Sequence, residues 1–350
     1  MKNNLNKVCF IGMSHLGIVS SIVAASKGLK IVCFDFCKDV IERLNDGFLN
    51  INEPGLKNLF KTYKNNMNFT NLENEIIDSD IFFISQDIKT DEKNRSDFSD
   101  VNKIFRLLVK KIHSNSIVVL HSQITPGHSR TFSRNFKNFY YQVETLIFGE
   151  AVNRAKNPDR IIIGSNQDKI HNKYNAFLKL YNCDIHIMSY ESAELTKLAI
   201  NLYLISSLTY GNIMGKVSKL VGADWKEIMP ALRSDKRIGK YSYIKPGLGL
   251  SGGNLERDLV NIINLTEQNI VLKKYFKTLF EINEKKKIWP LHKLNWFKKT
   301  FGLNQKIAIL GLIYKTGTNS VKNSPSIKLI DELNKKQNFM IYDPLISNYK

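Results

Sequence analysis

Lys7-Val8-Cys9-Phe10-Ile11-Gly12-Met13-Ser14-His15-Leu16-Gly17 is the stretch on which the fold turns. Lys7 to Ile11 is a short apolar run, and Gly12 to Gly17 a turn of small residues. A helical pattern follows from Ile18 to Lys27, then a second apolar run, Lys30 to Phe34, that ends at Asp35. Strand, turn, helix, strand is the unit of a parallel sheet with crossover helices. The turn reads as the dinucleotide fingerprint GxGxxG, with Ser14 in place of the second glycine and His15 and Leu16 completing it. The first glycine permits the tight turn, and the third lets helix and strand pack closely. The second lets the backbone approach a pyrophosphate seated on the helix N-terminus. Ser14 puts a Cβ and a hydroxyl into that approach. Asp35 falls where a carboxylate accepts from the ribose hydroxyls of an adenosine, and an acid there favours NAD over NADP. Taken alone, such a turn also occurs in α/β proteins of other kinds.

Working outward, further strands are predicted at Ile81–Ser85, Ser116–His121, Ile161–Gly164 and Ile185–Met188. Residues 1–187 thus read as one Rossmann-like, doubly wound α/β domain. Glu191 to Leu220 has no proline, and Leu195, Leu198, Ala199, Leu202 and Ile205 recur at helical spacing. A helix of that length bridges domains or pairs with a partner subunit, so 188–300 reads as a central, long-helix region. The glycine-rich segment Lys245–Gly253 interrupts it, and helix resumes at Leu255. A small C-terminal α/β unit, 301–350, has strands at Ile307–Leu310 and Phe339–Tyr342 flanking a helix from Pro325 to Lys335.

The 350 residues, 43% of them hydrophobic, suffice for several packed domains. No run of about 18 apolar residues is present and the polar N-terminus lacks a signal-peptide core, so a soluble cytoplasmic protein off the membrane is expected. Cys9, Cys33, Cys37 and Cys183 have neither metal-ligand nor disulfide spacing, and no metal is expected. The 51 basic and 32 acidic residues give a charge of +19. Lysines are spread along the whole chain without an arginine-rich arm, which argues against nucleic acid as a partner. A basic cleft for an anionic substrate fits the same charge.

Several segments, in order and spacing, resemble the UDP-glucose/GDP-mannose dehydrogenase family over residues 7 to about 344. They are Asn45-Asp46-Gly47 with Glu53-Pro54-Gly55-Leu56, Pro158-Asp159-Arg160 to Gly164, and Glu194-Leu195-Thr196-Lys197 with Asn201. Further along come Asp235, Arg237, Ile238 and Gly239, then Pro246-Gly247-Leu248-Gly249. The last are Gly311-Leu312 with Lys315 and Thr318, and Ser324-Pro325. The resemblance implies oxidation of a nucleotide-sugar C6 alcohol by NAD in two hydride transfers, in supply of polysaccharide precursors. It implies a catalytic cysteine that traps the aldehyde, and a homodimer formed through the long helix. It assigns Lys197 to the developing alkoxide, Asn201 to orienting a water or the sugar hydroxyl, Asp258 to proton transfer and Glu144 to the same site. Ser122 goes with the cofactor; Arg237, Gly247, Gly249, Gly252 and Lys315 go with the substrate. Left to spacing alone, Lys197 and Asn201 are two polar residues on one face of a helix, and Asp258 a favourable first-turn acid.

The departures from that pattern are specific. Asn254 stands at the position of the family's cysteine, and an amide is no nucleophile. Phe148 replaces a glutamate, Gln123 a threonine, Ile88-Lys89 a Thr-Pro pair and Lys322 an arginine. The chain ends seven residues after Asp343 of the Asp343-Pro344 pair, short of the family's later strands. Four functions stay open at this point. They are a two-electron alcohol–aldehyde oxidoreductase, a full oxidation through the aldehyde hydrate, a non-catalytic binder of nucleotide sugar or cofactor, and a nucleic-acid binder that has charge alone in its favour.

Overall fold

The computed structural model describes residues 5, 7–91, 95–302, 307–315, 320–333 and 339–346. The chain divides into two compact units, Met1–Asp91 with Ser96–Lys197, and Glu92–Arg95 with Leu198–Lys350.

The described strands of the first unit are β1 (Val8–Ile11), β2 (Ile31–Phe34), β3 (Met67–Thr70), β4 (Ile81–Ile84), β5 (Lys89–Thr90), β6 (Ser96–Asp97), β7 (Ile117–Leu120), β8 (Asn138–Gln142), β9 (Arg160–Gly164) and β10 (Asp184–Met188). The helices between them are α1 (His15–Ser26), α2 (Lys38–Asn45), α3 (Leu56–Tyr63), α4 (Ser99–Lys111), α5 (His128–Ser133), α6 (Ala151–Lys156) and α7 (Asn172–Lys179). Eight strands form one sheet in the order β10-β9-β8-β7-β4-β1-β2-β3, while β5 and β6 make a separate hairpin. Pairing in the large sheet is parallel except between β8 and β9, so the last two strands run against the rest. The strand order reverses between β1 and β4, which is where a doubly wound sheet opens a crevice at its carboxyl ends.

Val8–Ile11, Ile31–Phe34, Ile81–Ile84 and Ile117–Leu120 are buried throughout, as strands covered by helices on both faces must be. Phe10 and Phe83 stack across the β1–β4 pair at 4.7 Å. Helix α1 is apolar on nearly all sides, and Leu16 to Ala25 are all buried; such a helix belongs inside a fold. The chain leaves it at Gly28, whose φ of +89° only glycine adopts freely. The helix starts at His15, three residues before the predicted Ile18, because the fingerprint's last glycine lies inside its first turn. Strands β3 and β8 go beyond those predicted. Met67-Asn-Phe-Thr is a short edge strand with only Phe69 and Thr70 buried, and Asn138-Phe-Tyr-Tyr-Gln is bounded by polar ends.

The chain continues through α8 (Tyr190–Leu220), α9 (Trp225–Ser234), α10 (Asn254–Leu265), α11 (Ile270–Lys287) and α12 (Trp289–Phe301), followed by β11 (Ile307–Leu310), α13 (Pro325–Leu333) and β12 (Phe339–Tyr342). Helix α8 begins in the first unit and runs on into the second. Within the second unit, Leu198 and Ile205 of α8 pack with Leu250, Leu259, Ile262 and Leu279. Leu195, predicted on the same apolar face, is half exposed. β11 and β12 pair in parallel, Ile307 opposite Phe339. The Asp343 carboxylate accepts from the N–H groups of Leu312 (2.6 Å), Ile313, Leu345 and Ile346, which holds its acid below the usual range and ties the strand ends together. Thr318 and Lys335 lie outside the described residues. Among the described residues, no helix is long and apolar enough to cross a membrane.

Candidate active site and cofactor cradle

The turn between β1 and α1 has the backbone a dinucleotide needs. Gly12 adopts φ +97°, and a Cβ there would meet the Gln86 side chain at 2.7 Å. A Cβ on Gly17 would collide with the Gly12 carbonyl, which is the close helix–strand packing that the third fingerprint glycine allows. The Asp35 carboxylate accepts from Met13 N–H (2.7 Å) and from Cys37 N–H (2.8 Å). A carboxylate has about four acceptor sites, so it keeps capacity for ribose hydroxyls. Gly12, Met13, Ser14, Asp35, Gln86 and Lys103 are among the residues lining a cavity of about 310 Å³. These features fit the adenosine end of a dinucleotide.

The helix N-terminus is arranged differently. Ser14 caps α1 without using its side chain for the cap. Its hydroxyl accepts from Asp87 N–H (2.8 Å) and donates to the Ser85 carbonyl (3.3 Å). The Asp87 carboxylate in turn accepts from Leu16 N–H at 3.2 Å. Solvent reaches Asp87 on one side, but its carboxyl is crowded, and that desolvation raises its acid above the usual range against the pull of His15 and Leu16 N–H. His15 hydrogen-bonds through Nε2 to Glu53 Oε1 (2.8 Å) and lies over the Phe148 ring at 4.2 Å. Buried Glu53 also accepts from Gly149 and Ala151 N–H, at the start of α6. Ser122, just after β7, spends its hydroxyl on the Ile84 carbonyl (3.2 Å).

Helix α8 carries the expected catalytic pair, Lys197 and Asn201, one turn apart, where side chains point the same way. In the first unit, buried Lys197 meets buried Glu144 at 3.3 Å. Glu144 also accepts from Leu146 N–H. His121 is buried beside this ion pair, and burial pushes it down to about 4, with Glu144 opposing and Lys197 assisting. Its Nδ1 has no hydrogen-bond partner among the described residues. Glu194, three residues before Lys197 on the same helix, accepts from Gly127 (2.6 Å) and Ser129 (2.7 Å) N–H at the start of α5.

In the second unit, Asn201 Nδ2 donates to Asp258 Oδ2 at 2.5 Å, and Arg257 Nε lies 3.3 Å from Asp258 Oδ1; all three are buried. Asn254 is exposed at the first position of α10, directly after Gly253. The glycine-rich loop before it is pinned at several points. Gly211 and Gly215 of α8 leave room for Ile244 and Pro246, where a Cβ on Gly215 would meet the proline at 2.8 Å. Asn212 Oδ1 accepts from Gly247 N–H (2.9 Å), and Trp225 Nε1 donates to the Ile244 carbonyl (3.0 Å). Gly249 (φ +95°) packs on Asn283, whose amide oxygen accepts from Leu250 N–H. Gly252 (φ +80°) packs against the Tyr314 ring, one residue before Lys315; a Cβ on it would lie 3.0 Å from that ring. Asn283 and Lys287 both reach buried Glu256. Arg237 points into solvent and pairs with Asp235 at 2.6 Å.

The structure therefore brings Lys197 to Glu144 and Asn201 to Asp258, and leaves Arg237 and Asn254 exposed. Sequence reasoning misses Asp87, His121, Asn212 and Asn283. The Gly211-x-x-x-Gly215 spacing on α8 is the available sign that a backbone lies against that helix.

Residues 6–183 match the NAD binding domain of the UDP-glucose/GDP-mannose dehydrogenase family, 191–285 its central domain and 308–350 its UDP binding domain. The UDP-glucose 6-dehydrogenase of Rickettsia prowazekii is 28% identical over 351 residues, covering 97% of this chain and 81% of that protein. That of Bacillus subtilis is 25% identical over 354 residues, covering 97% and 76%. In fold, the chain is similar to a UDP-glucose dehydrogenase from Pyrobaculum islandicum, with TM-score 0.86, 23% identity and coverage of 98% and 83%. It is also similar to the UDP-N-acetyl-mannosamine dehydrogenase of Staphylococcus aureus, with TM-score 0.80, 18% identity and coverage of 98% and 84%. The chain belongs to the UDP-glucose/GDP-mannose dehydrogenase family, as an NAD-binding, nucleotide-sugar dehydrogenase-like enzyme.

Proposed function

We propose that the chain oxidises the C6 alcohol of a UDP- or GDP-sugar to the aldehyde and stops there, as a cytoplasmic homodimer that supplies polysaccharide precursors. Gly12, Leu16, Gly17 and Asp35 would hold NAD, which accepts the hydride in this chemistry. The hydroxyl proton passes to Asp258, which Asn201 and Arg257 hold in place. Lys197 stabilises the alkoxide as charge develops on it, and Glu144 keeps the ammonium positioned. Gly247, Gly249, Gly252 and Lys315 would line the sugar nucleotide, with Arg237 reaching it from the partner subunit.

The observation that carries this reading is the distribution of thiols. The four cysteines all precede residue 198, so Leu198–Lys350, with α10 and its glycine-rich loop, has none. Burial raises the Cys9 thiol and pushes Cys33 up to about 12, so neither is a nucleophile. Asn254 cannot hold an aldehyde as a thiohemiacetal. A second reading, a non-catalytic binder of nucleotide sugar, is favoured by the crowding of the cradle by Ser14 and Asp87. Incubation with NAD and a panel of UDP- and GDP-sugars, with absorbance at the reduced cofactor and product masses, tests both. Aldehyde without a covalent adduct is expected. A carboxylate product refutes the two-electron reading, and binding with no turnover favours the second.

A further inference from the structure

The loop after β4 lies over the cradle, and its chemistry opposes the ligand the cradle is built for. A helix N-terminus offers unpaired N–H groups and a partial positive charge, and in a dinucleotide site both face the pyrophosphate. Here α1 has no acid of its own in its first turn. The acid comes instead from Asp87, 71 residues away, whose carboxylate takes the Leu16 N–H at 3.2 Å. Ser14, standing where the fingerprint has its second glycine, holds the same residue by accepting from Asp87 N–H at 2.8 Å. Its own hydroxyl proton goes to the Ser85 carbonyl at 3.3 Å. The two side chains thus make one latch: the hydroxyl fixes the loop, and the loop's carboxylate fills the anion position.

We propose that Asp87 is a built-in counter-anion to the cofactor's diphosphate and sets how weakly this cradle takes NAD. A dinucleotide enters only as the Asp87 carboxylate leaves Leu16 N–H, because two anions cannot share one helix end without mutual repulsion. The inference deepens the assignment of NAD to the first unit and rests on it. It concerns affinity, so it applies whether or not the protein turns over.

The test is calorimetric titration of the full chain with NAD and, as an uncharged probe, adenosine. Asp87→Asn keeps an oxygen for Leu16 N–H and the loop in place while removing the charge; it should tighten NAD at least about tenfold and leave adenosine within about twofold. Ser14→Gly should tighten NAD by itself. The double variant should gain less than the product of the two single effects, since both act through one latch. Thermal unfolding of each variant checks that the fold is kept, and Asp87→Ser serves if Asp87→Asn unfolds. Equal NAD affinity in wild type and Asp87→Asn overturns the inference and leaves the cofactor assignment standing. An equal gain for adenosine also overturns it, since the effect would then be steric. Absence of NAD binding in every folded variant overturns both.

Discussion

His121 makes the most quantitative prediction. Its imidazole is buried just after β7 beside Lys197 and Glu144, and burial pushes it down to about 4 from an ordinary 6.5. The protonated form is thus disfavoured in the fold but not in the unfolded chain. The stability that follows is fully present above pH 6.5 and is lost as pH falls from 6.5 towards 4. At about 1.4 kcal/mol for each pH unit, keeping the ring neutral over that interval is worth about 3 kcal/mol. Replacing His121 by Gln removes the titration while keeping a polar side chain of similar reach. Urea unfolding at about pH 7.5, 6, 5 and 4, which spans that interval, measures both proteins by far-ultraviolet circular dichroism, because Trp225, Trp289 and Trp296 all lie in the second unit and His121 in the first. The variant should lose about 3 kcal/mol less than wild type on acidification from about pH 7.5 to 4. Parallel loss in the two proteins would refute the reasoning, because the acid sensitivity would then come from other groups.

Other predictions are independent of that one. Glu194→Ala should lower stability by about 2–5 kcal/mol in the same denaturant assay, since Gly127 and Ser129 N–H lose their buried acceptor; a loss under about 1 kcal/mol would show that water replaces it. Lys197→Ala should cut turnover about 100-fold, on the scale of losing one oxyanion donor, in a steady-state assay with the sugar found by the panel; an unchanged rate would remove Lys197 from the chemistry. Asn254→Cys should restore conversion to the acid in part and create a thiol adduct visible by intact mass; the absence of any adduct with a bound aldehyde would place the site of trapping elsewhere.

What was legible in the sequence had a local signature. The strand–turn–helix at Val8 to Ser26 showed as apolar runs broken by Gly12 and Gly17, and α8 showed as one long periodic segment. Lys197 and Asn201 could be paired because a helix turns a spacing of four into one face. The side chains that hold the site read at most as motif letters, because their partners are distant in the chain. Glu53 meets Ala151 across 98 positions, Glu194 meets Gly127 across 67, and Asp87 meets Leu16 across 71. No periodicity encodes such a contact; only the closed sheet brings the residues together. The same holds for departures from the family pattern. Ser14 in the fingerprint and the altered loop beside Ile88-Lys89 read in the sequence as two separate losses. In the fold Ser14 meets Asp87, the residue just before that pair, hydroxyl to N–H, and the Asp87 carboxylate reaches the helix end at Leu16 N–H. The Ser14 hydroxyl and the Asp87 carboxylate therefore act on one helix end together, and substitutions at the two positions should not be additive.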